Sequence, residues 1–184
     1  MKKLLHVCCA NCLSDVIGAL RGDGDEVVLL FANPNIHPLV EFRRRRKSVR
    51  LLAARLGLEL EEDPYGLFEF LEAVRGEERE GEGGARCRIC YGMRLGRAAE
   101  RAKDLGADAF TSTLLVSRQQ DRASVVEAGR AAADEWGVPF EAADLRELHG
   151  TDRARPRDLK LYRQGYCGCV FSEEERFRDS SRGD

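Results

Sequence analysis

Val27-Val28-Leu29-Leu30-Phe31-Ala32-Asn33-Pro34-Asn35-Ile36-His37-Pro38 passes from a continuous apolar run into a loop built on prolines and asparagines. An unbroken apolar run suits a strand buried on both faces, and such strands belong to parallel sheets covered by helices. The loop then lies at the strand's C-terminal end, where open parallel sheets place their sites. Upstream, residues 2–8 read as a short buried strand. Asn11 to Leu20 follows as a helix, with Leu13, Val16, Ile17 and Leu20 at helical spacing. Arg21 to Asp25 is a turn. Downstream, Leu39 to Leu56 is a helix whose apolar face is Phe42, Val49, Leu52, Ala53 and Leu56, closed by Gly57. Leu58–Glu62 reads as a third strand and Tyr65–Val74 as helical. Gly76–Gly84 is a polar, glycine-rich loop, and Cys90–Leu105 a further helix. Ala109–Val116 reads as a fourth strand, Ser117–Gln120 as its C-terminal loop, Arg122–Trp136 as a helix and Phe140–Ala143 as a fifth strand. Leu145–Asp158 is irregular, with a helical turn at Leu159–Gln164. Alternating strands and helices predict an α/β fold: one Rossmann-like or HUP-like layer, a mostly parallel sheet of about five strands flanked by helices. That domain spans residues 1–172, and residues 173–184 read as a charged, flexible tail.

The chain has 184 residues, enough for one domain with a sizeable core. Charged residues make up 34%, but the signs nearly cancel at net −2, so a polyanionic partner must be met by a local patch. No apolar run reaches the length of a membrane span, and the apolar stretch after Met1-Lys2-Lys3 is too short for a secretory signal. The expectation is a cytoplasmic protein without a membrane partner, in a compartment that keeps thiols reduced.

All seven cysteines fall into three clusters: Cys8-Cys9-Ala10-Asn11-Cys12, Cys87-Arg88-Ile89-Cys90 and Cys167-Gly168-Cys169. An odd number excludes a complete disulfide framework, and clustering in a reducing compartment favours metal binding or catalysis. Two C-x-x-C pairs can hold a tetrahedral zinc or, equally, an iron–sulfur cluster. Four thiolates leave three over. A disulfide between Cys167 and Cys169 would close a small strained ring, a poor staple but a plausible redox couple. The same pair could instead donate to a second metal.

The thiol turn after the first strand, the Asn33–Pro38 loop and the Ser117–Gln120 loop all fall at strand C-terminal ends and can meet in one crevice. His37 is the histidine best placed for a site role. His6, on a strand, suits a core position as well as a site, and His149 a surface one. The one dense basic run is Arg43 to Lys47 with Arg50. Arg43, Arg46, Lys47 and Arg50 share a helix face that could contact phosphates. No glycine-rich dinucleotide fingerprint or phosphate-binding P-loop is present.

Five motifs in this order carry a resemblance: Leu4-Leu5-His6-Val7-Cys8-Cys9-Ala10-x-Cys12, Asn33-Pro34-Asn35-Ile36-His37-Pro38, Cys87-x-x-Cys90-Tyr91-x-Met93-Arg94-Leu95, Thr111-x-Thr113-Leu114-Leu115-Val116-Ser117 and Leu161-Tyr162-Arg163-Gln164-x-Tyr166-Cys167-Gly168-Cys169. From residue 4 to about 172 the chain resembles the cobalamin-independent epoxyqueuosine reductases of the QueH type. It departs from their pattern with Asn11 in place of a common proline and Arg118 where a proline commonly follows the serine. The resemblance implies an iron–sulfur oxidoreductase. It would reduce epoxyqueuosine to queuosine at the wobble position of tRNA, the last step of queuosine synthesis, with electrons from an unidentified donor. It further implies a [4Fe-4S] cluster on Cys8, Cys9, Cys87 and Cys90. Cys167 and Cys169 would be a redox-active pair, or with Cys12 the ligands of a second, mononuclear iron. Asn33, Asn35, His37, Ser117 and Tyr166 are the candidate substrate-binding residues. His37, Tyr166 and Asp15 are candidate proton donors. Two other readings stand beside this one: a zinc-stabilised binding module without chemistry, and a thiol–disulfide oxidoreductase.

Overall fold

Lys2–His6 (β1) and Glu26–Phe31 (β2) pair in parallel, with Leu4 opposite Val28 and His6 opposite Leu30. Glu59–Glu62 (β3) adds to the far edge of β2, and Ala109–Ser112 (β4) to the other edge of β1. The result is an all-parallel sheet in the order β3-β2-β1-β4. The computed structural model describes residues 1–22, 24–151, 154 and 158–178. Helices Ala10–Leu20 (α1), Leu39–Leu56 (α2), Leu67–Ala73 (α3), Ala85–Asp104 (α4), Arg122–Trp136 (α5) and Val170–Phe177 (α6) flank the sheet. β2 is buried along Val27–Phe31, as its continuous apolar run requires.

The chain leaves β1 toward β2 and β3 on one side and returns to place β4 on the other. The order therefore reverses beside β1, and the crevice at such a reversal opens at the strands' C-terminal ends. Residues 7–12 follow β1 there, and Thr113–Val116, a buried 3-10 turn, follows β4.

Several elements differ from expectation, α4 among them, which begins at Ala85 rather than Cys90. The expected fifth strand is a single bridge, Phe140 beside Phe110. The hydroxyl of Thr111 takes the Glu141 carbonyl at 2.8 Å, and the chain turns away from the ladder there. The fourth strand stops at Ser112, whose hydroxyl accepts from the Leu114 amide at 3.1 Å and starts the 3-10 turn. Leu159–Gln164 is irregular, not a helical turn. Residues 173–177 of the expected tail are the second part of α6, while residues 179–184 lie outside the described residues. Gly129 on α5 faces the Phe140 ring so closely that a Cβ would stand 2.3 Å from a ring carbon. Among the described residues no helix is long and apolar enough to cross a membrane.

Candidate active site

β1 ends at His6, so the alternation of a strand no longer governs Cys8 and Cys9. Cys9 becomes the N-cap of α1, its Sγ accepting from the Cys12 amide at 3.3 Å. That turn brings the sulfurs of Cys8, Cys9 and Cys12 within 4.8 Å of one another. Thiol hydrogen bonds from Cys12 and Cys9 hold Cys8 well below the ordinary thiol value, helped by the Arg94 charge and the Thr113 hydroxyl at 3.3 Å. The same hydrogen bonds, with burial, hold Cys12 protonated.

The second cluster lies on α4, which begins at Ala85, so Cys87 and Cys90 are both helical. Cys87 Sγ accepts from the Gly83 amide at 3.3 Å. Arg86, Cys90 and Arg94 are spaced four residues apart and share one buried face. Arg94 is 1% exposed; it donates to Asn33 Oδ1 at 2.9 Å and lies 4.0 Å from Cys90 Sγ. Among the described residues no carboxylate pairs with it; the groups with negative charge to offer are Cys90, Cys8 and Cys167. Burial pushes the Cys90 thiol up to about 11, against the pull of Arg94. Arg86 donates to Glu175 at 2.8 Å and stacks on Phe171, which ties α6 to α4.

The last cluster faces two ways. Cys167 lines a cavity of about 140 Å³ together with Cys8, Cys12, Arg45, Arg94, Ser117, Gln120, Gln164 and Tyr166. Cys169 turns away into an apolar cluster with Cys90, Phe70 and Val74, where it caps α6 by accepting from the Ser172 amide at 3.4 Å. Two glutamines aim amide N–H groups at sulfur: Gln120 at Cys167, 3.4 Å, and Gln164 at Cys9, 3.0 Å. Asn11 donates to the Tyr162 carbonyl at 3.2 Å and to Gln164 at 3.3 Å, fastening the start of α1 to this segment. All seven cysteines are free thiols.

A family model described as "Epoxyqueuosine reductase QueH" matches residues 3–175. The chain belongs to the QueH family. Among proteins named epoxyqueuosine reductase QueH, that of Dehalococcoides mccartyi is 41% identical over 96% of this chain and 94% of its own length. The Thermotoga maritima protein is 34% identical over 94% and 91% respectively, and the Haemophilus influenzae protein 35% over 98% and 74%.

Of the residues expected to bind substrate in this QueH-family chain, Ser117 and Tyr166 line the cavity. Asn33, Asn35 and His37 stand behind its wall, each 2% exposed or less. Asn33 is fully engaged, donating to the Val7 carbonyl at 2.9 Å and accepting from Arg94. His37 packs against the Tyr65 and Phe70 rings, and of polar groups only the Pro34 backbone acts on its ring, too weakly to offset the burial that keeps it neutral. Tyr166 donates its hydroxyl to the His37 carbonyl. Asp15 is buried and accepts from the Gly150 amide at 2.8 Å. His6 is a satisfied core histidine: Nε2 donates to the Ala32 carbonyl at 3.1 Å, so Nδ1 accepts from the Ser112 hydroxyl at 2.8 Å. Sequence reasoning missed Arg94, Arg45, Gln120 and Gln164. The detectable signal was Arg94, one helical turn beyond Cys90 on the stripe that includes Leu95, Ala98 and Ala102.

Of the basic stripe, Arg43 and Lys47 are exposed, Arg46 lies over the Phe42 ring and Arg50 is paired with Glu62. Arg45 is 2% exposed and belongs to the cavity wall instead.

Proposed function

We propose that the chain reduces epoxyqueuosine to queuosine in tRNA, at the cavity walled by Cys8, Cys12 and Cys167. The observation that carries the reading is Arg94: a buried cation without a carboxylate partner among the described residues, surrounded by thiols. A buried charge needs an opposite charge beside it, and thiolates joined to iron would provide one. The donor set fits such a group. Cys8, Cys12 and Cys167 meet at the cavity, Cys90 lies against Arg94, and N–H groups of Gln120, Gln164 and Gly83 point at the sulfurs of Cys167, Cys9 and Cys87. In this reading Cys8, Cys9, Cys87 and Cys90 hold a [4Fe-4S] cluster. The resemblance assigns Cys12, Cys167 and Cys169 to the second redox or metal site; Cys12 and Cys167 open to the cavity and support that assignment, while Cys169 packs with Cys90 instead. The cluster, when bound, supplies electrons one at a time.

The reaction takes in two electrons and two protons and releases the epoxide oxygen as water. The cavity of about 140 Å³ is well below the roughly 300–1,000 Å³ of a pocket that swallows a whole ligand. It suits the modified five-membered ring, with the rest of the nucleotide outside after leaving its stack. The Ser117 hydroxyl accepts from the Gln119 amide at 3.2 Å, which leaves its own proton to donate to a polar group of that ring. Exposed Arg43 and Lys47 are the candidates for contact with anticodon-arm phosphates.

The test is anaerobic purification of the wild-type protein and Cys87→Ala. The wild type is expected to contain iron and sulfide and to convert epoxyqueuosine in tRNA when reduced, read by nucleoside mass spectrometry. Cys87→Ala is expected to lose both the iron–sulfur content and the conversion. A variant with full cluster content overturns the ligand assignment. A colourless wild type holding only zinc overturns the redox reading.

A further inference from the structure

The backbone of the Cys167-Gly168-Cys169 loop is held from outside the thiol set. Arg45 donates from Nη1 to the Cys167 carbonyl at 2.8 Å and from Nη2 to the Tyr166 carbonyl at 2.9 Å. Its Nε donates to Glu41 at 2.6 Å, and the other oxygen of Glu41 accepts from the Tyr162 hydroxyl at 2.5 Å. Arg45 is 2% exposed and Glu41 5%, so this planar fork works away from water, where charge-assisted hydrogen bonds are strongest. The His37 amide donates to the Gly168 carbonyl at 2.7 Å, and the Tyr166 hydroxyl returns to the His37 carbonyl. Gly168 has φ +142°, and a Cβ there would meet Ile36 at 3.1 Å and Arg45 Nη1 at 3.2 Å. A side chain at 168 would therefore push Ile36 and the Arg45 fork back by a few tenths of an ångström.

We infer that Arg45, fixed by Glu41, is a positioning residue that sets where the Cys167 sulfur stands in the cavity. It holds the loop through the Tyr166 and Cys167 carbonyls and lies over the Tyr166 ring, 5.5 Å from its centroid, and its hydrogen bond to Cys167 is to the carbonyl, so it acts on the sulfur by placement. The Asn33–Pro38 loop is the second jaw of the same clamp, which gives His37 a main-chain role. The inference rests on the reading of Cys167 as a site residue.

The test uses the full chain as anaerobically purified, with Arg45→Lys, Gly168→Ala and Cys167→Ser. Lysine keeps the cation but cannot bridge two carbonyls. The alanine attacks the same contact from the loop side. Two readouts are taken: the iodoacetamide labelling rate of each cysteine by peptide mapping, and kcat and KM for epoxyqueuosine-containing tRNA. Both clamp variants are expected to change Cys167 labelling by about tenfold while Cys9 stays within twofold. Their kcat should fall by about 10- to 100-fold, as for supporting groups around a reacting centre, with KM nearly unchanged. Wild-type Cys167 labelling in both folded variants overturns the inference. A fully active Cys167→Ser, with labelling still altered in the clamp variants, supports the clamp and overturns the role of Cys167 in the reaction.

Discussion

His37 and His6 are both buried, and burial keeps both neutral, His37 near pKa 4 and His6 near 3. An unfolded histidine takes up its proton near pH 6.5. The unfolded chain therefore binds more protons than the fold between pH 6.5 and about 4, and stability falls as pH falls through that window. For His37 the effect is separable, because its ring packs against Tyr65 and Phe70 and the Pro34 backbone is the one polar group that acts on its titration. His37→Phe is expected to hold stability near neutrality. Below pH 6.5 it should gain on the wild type by about 1.4 kcal/mol per pH unit. Urea unfolding at pH 7.0, 6.0 and 5.0 measures this; parallel loss in both proteins refutes it. At the same scale, the buried arginines were the least legible residues. Arg45 sits inside a five-residue basic run that reads as solvated surface. Its burial depends on carbonyls of Tyr166 and Cys167, far along the chain, which no local pattern announces.

At the scale of elements, the short strands and the longer helices were legible because each keeps one period along its length. The exceptions lie where a side chain competes with the backbone. Ser112 ends β4 and Thr111 stops the fifth strand, and hydroxyls at these positions look like ordinary strand residues. The glycine-rich loop hides the start of α4: the sequence starts that helix at Cys90 and leaves Cys87 outside it, although α4 begins at Ala85. Contact between α5 and the Phe140 bridge depends on Gly129. Gly129→Ala should gain in helix propensity yet lose overall, because the methyl group meets a ring that must move. The expected cost is about 1–3 kcal/mol by denaturant titration; a neutral or stabilised variant means that Phe140 relocates freely.

For the molecule as a whole, the sheet order places the switch point beside β1, and the cavity forms where the segments after β1 and β4 meet the 164–167 segment. The meeting of the thiol turn after β1 with the Ser117–Gln120 segment was foreseeable from their positions at strand ends. The opposite facing of Cys167 and Cys169 was not, because it follows from one glycine's φ. With the overall charge near balance, tRNA affinity should rest on few residues. Arg43→Glu with Lys47→Glu is expected to weaken tRNA binding and to flatten the dependence of log K on log salt by about two contacts' worth. Filter binding across a salt series measures it, and an unchanged slope moves the interface elsewhere.

Arg94 also bears on the electron. A cation fixed among sulfurs, away from water, favours whichever state of the site carries more negative charge. In the proposed redox site each arriving electron would add such charge, and the guanidinium would act as a built-in bias toward the reduced form. If the site holds the proposed iron–sulfur group, removing the cation by Arg94→Met should move that group's midpoint potential to more negative values, as followed by dithionite-poised spectroscopy. A donor just strong enough for the wild type would then fail to reduce the variant.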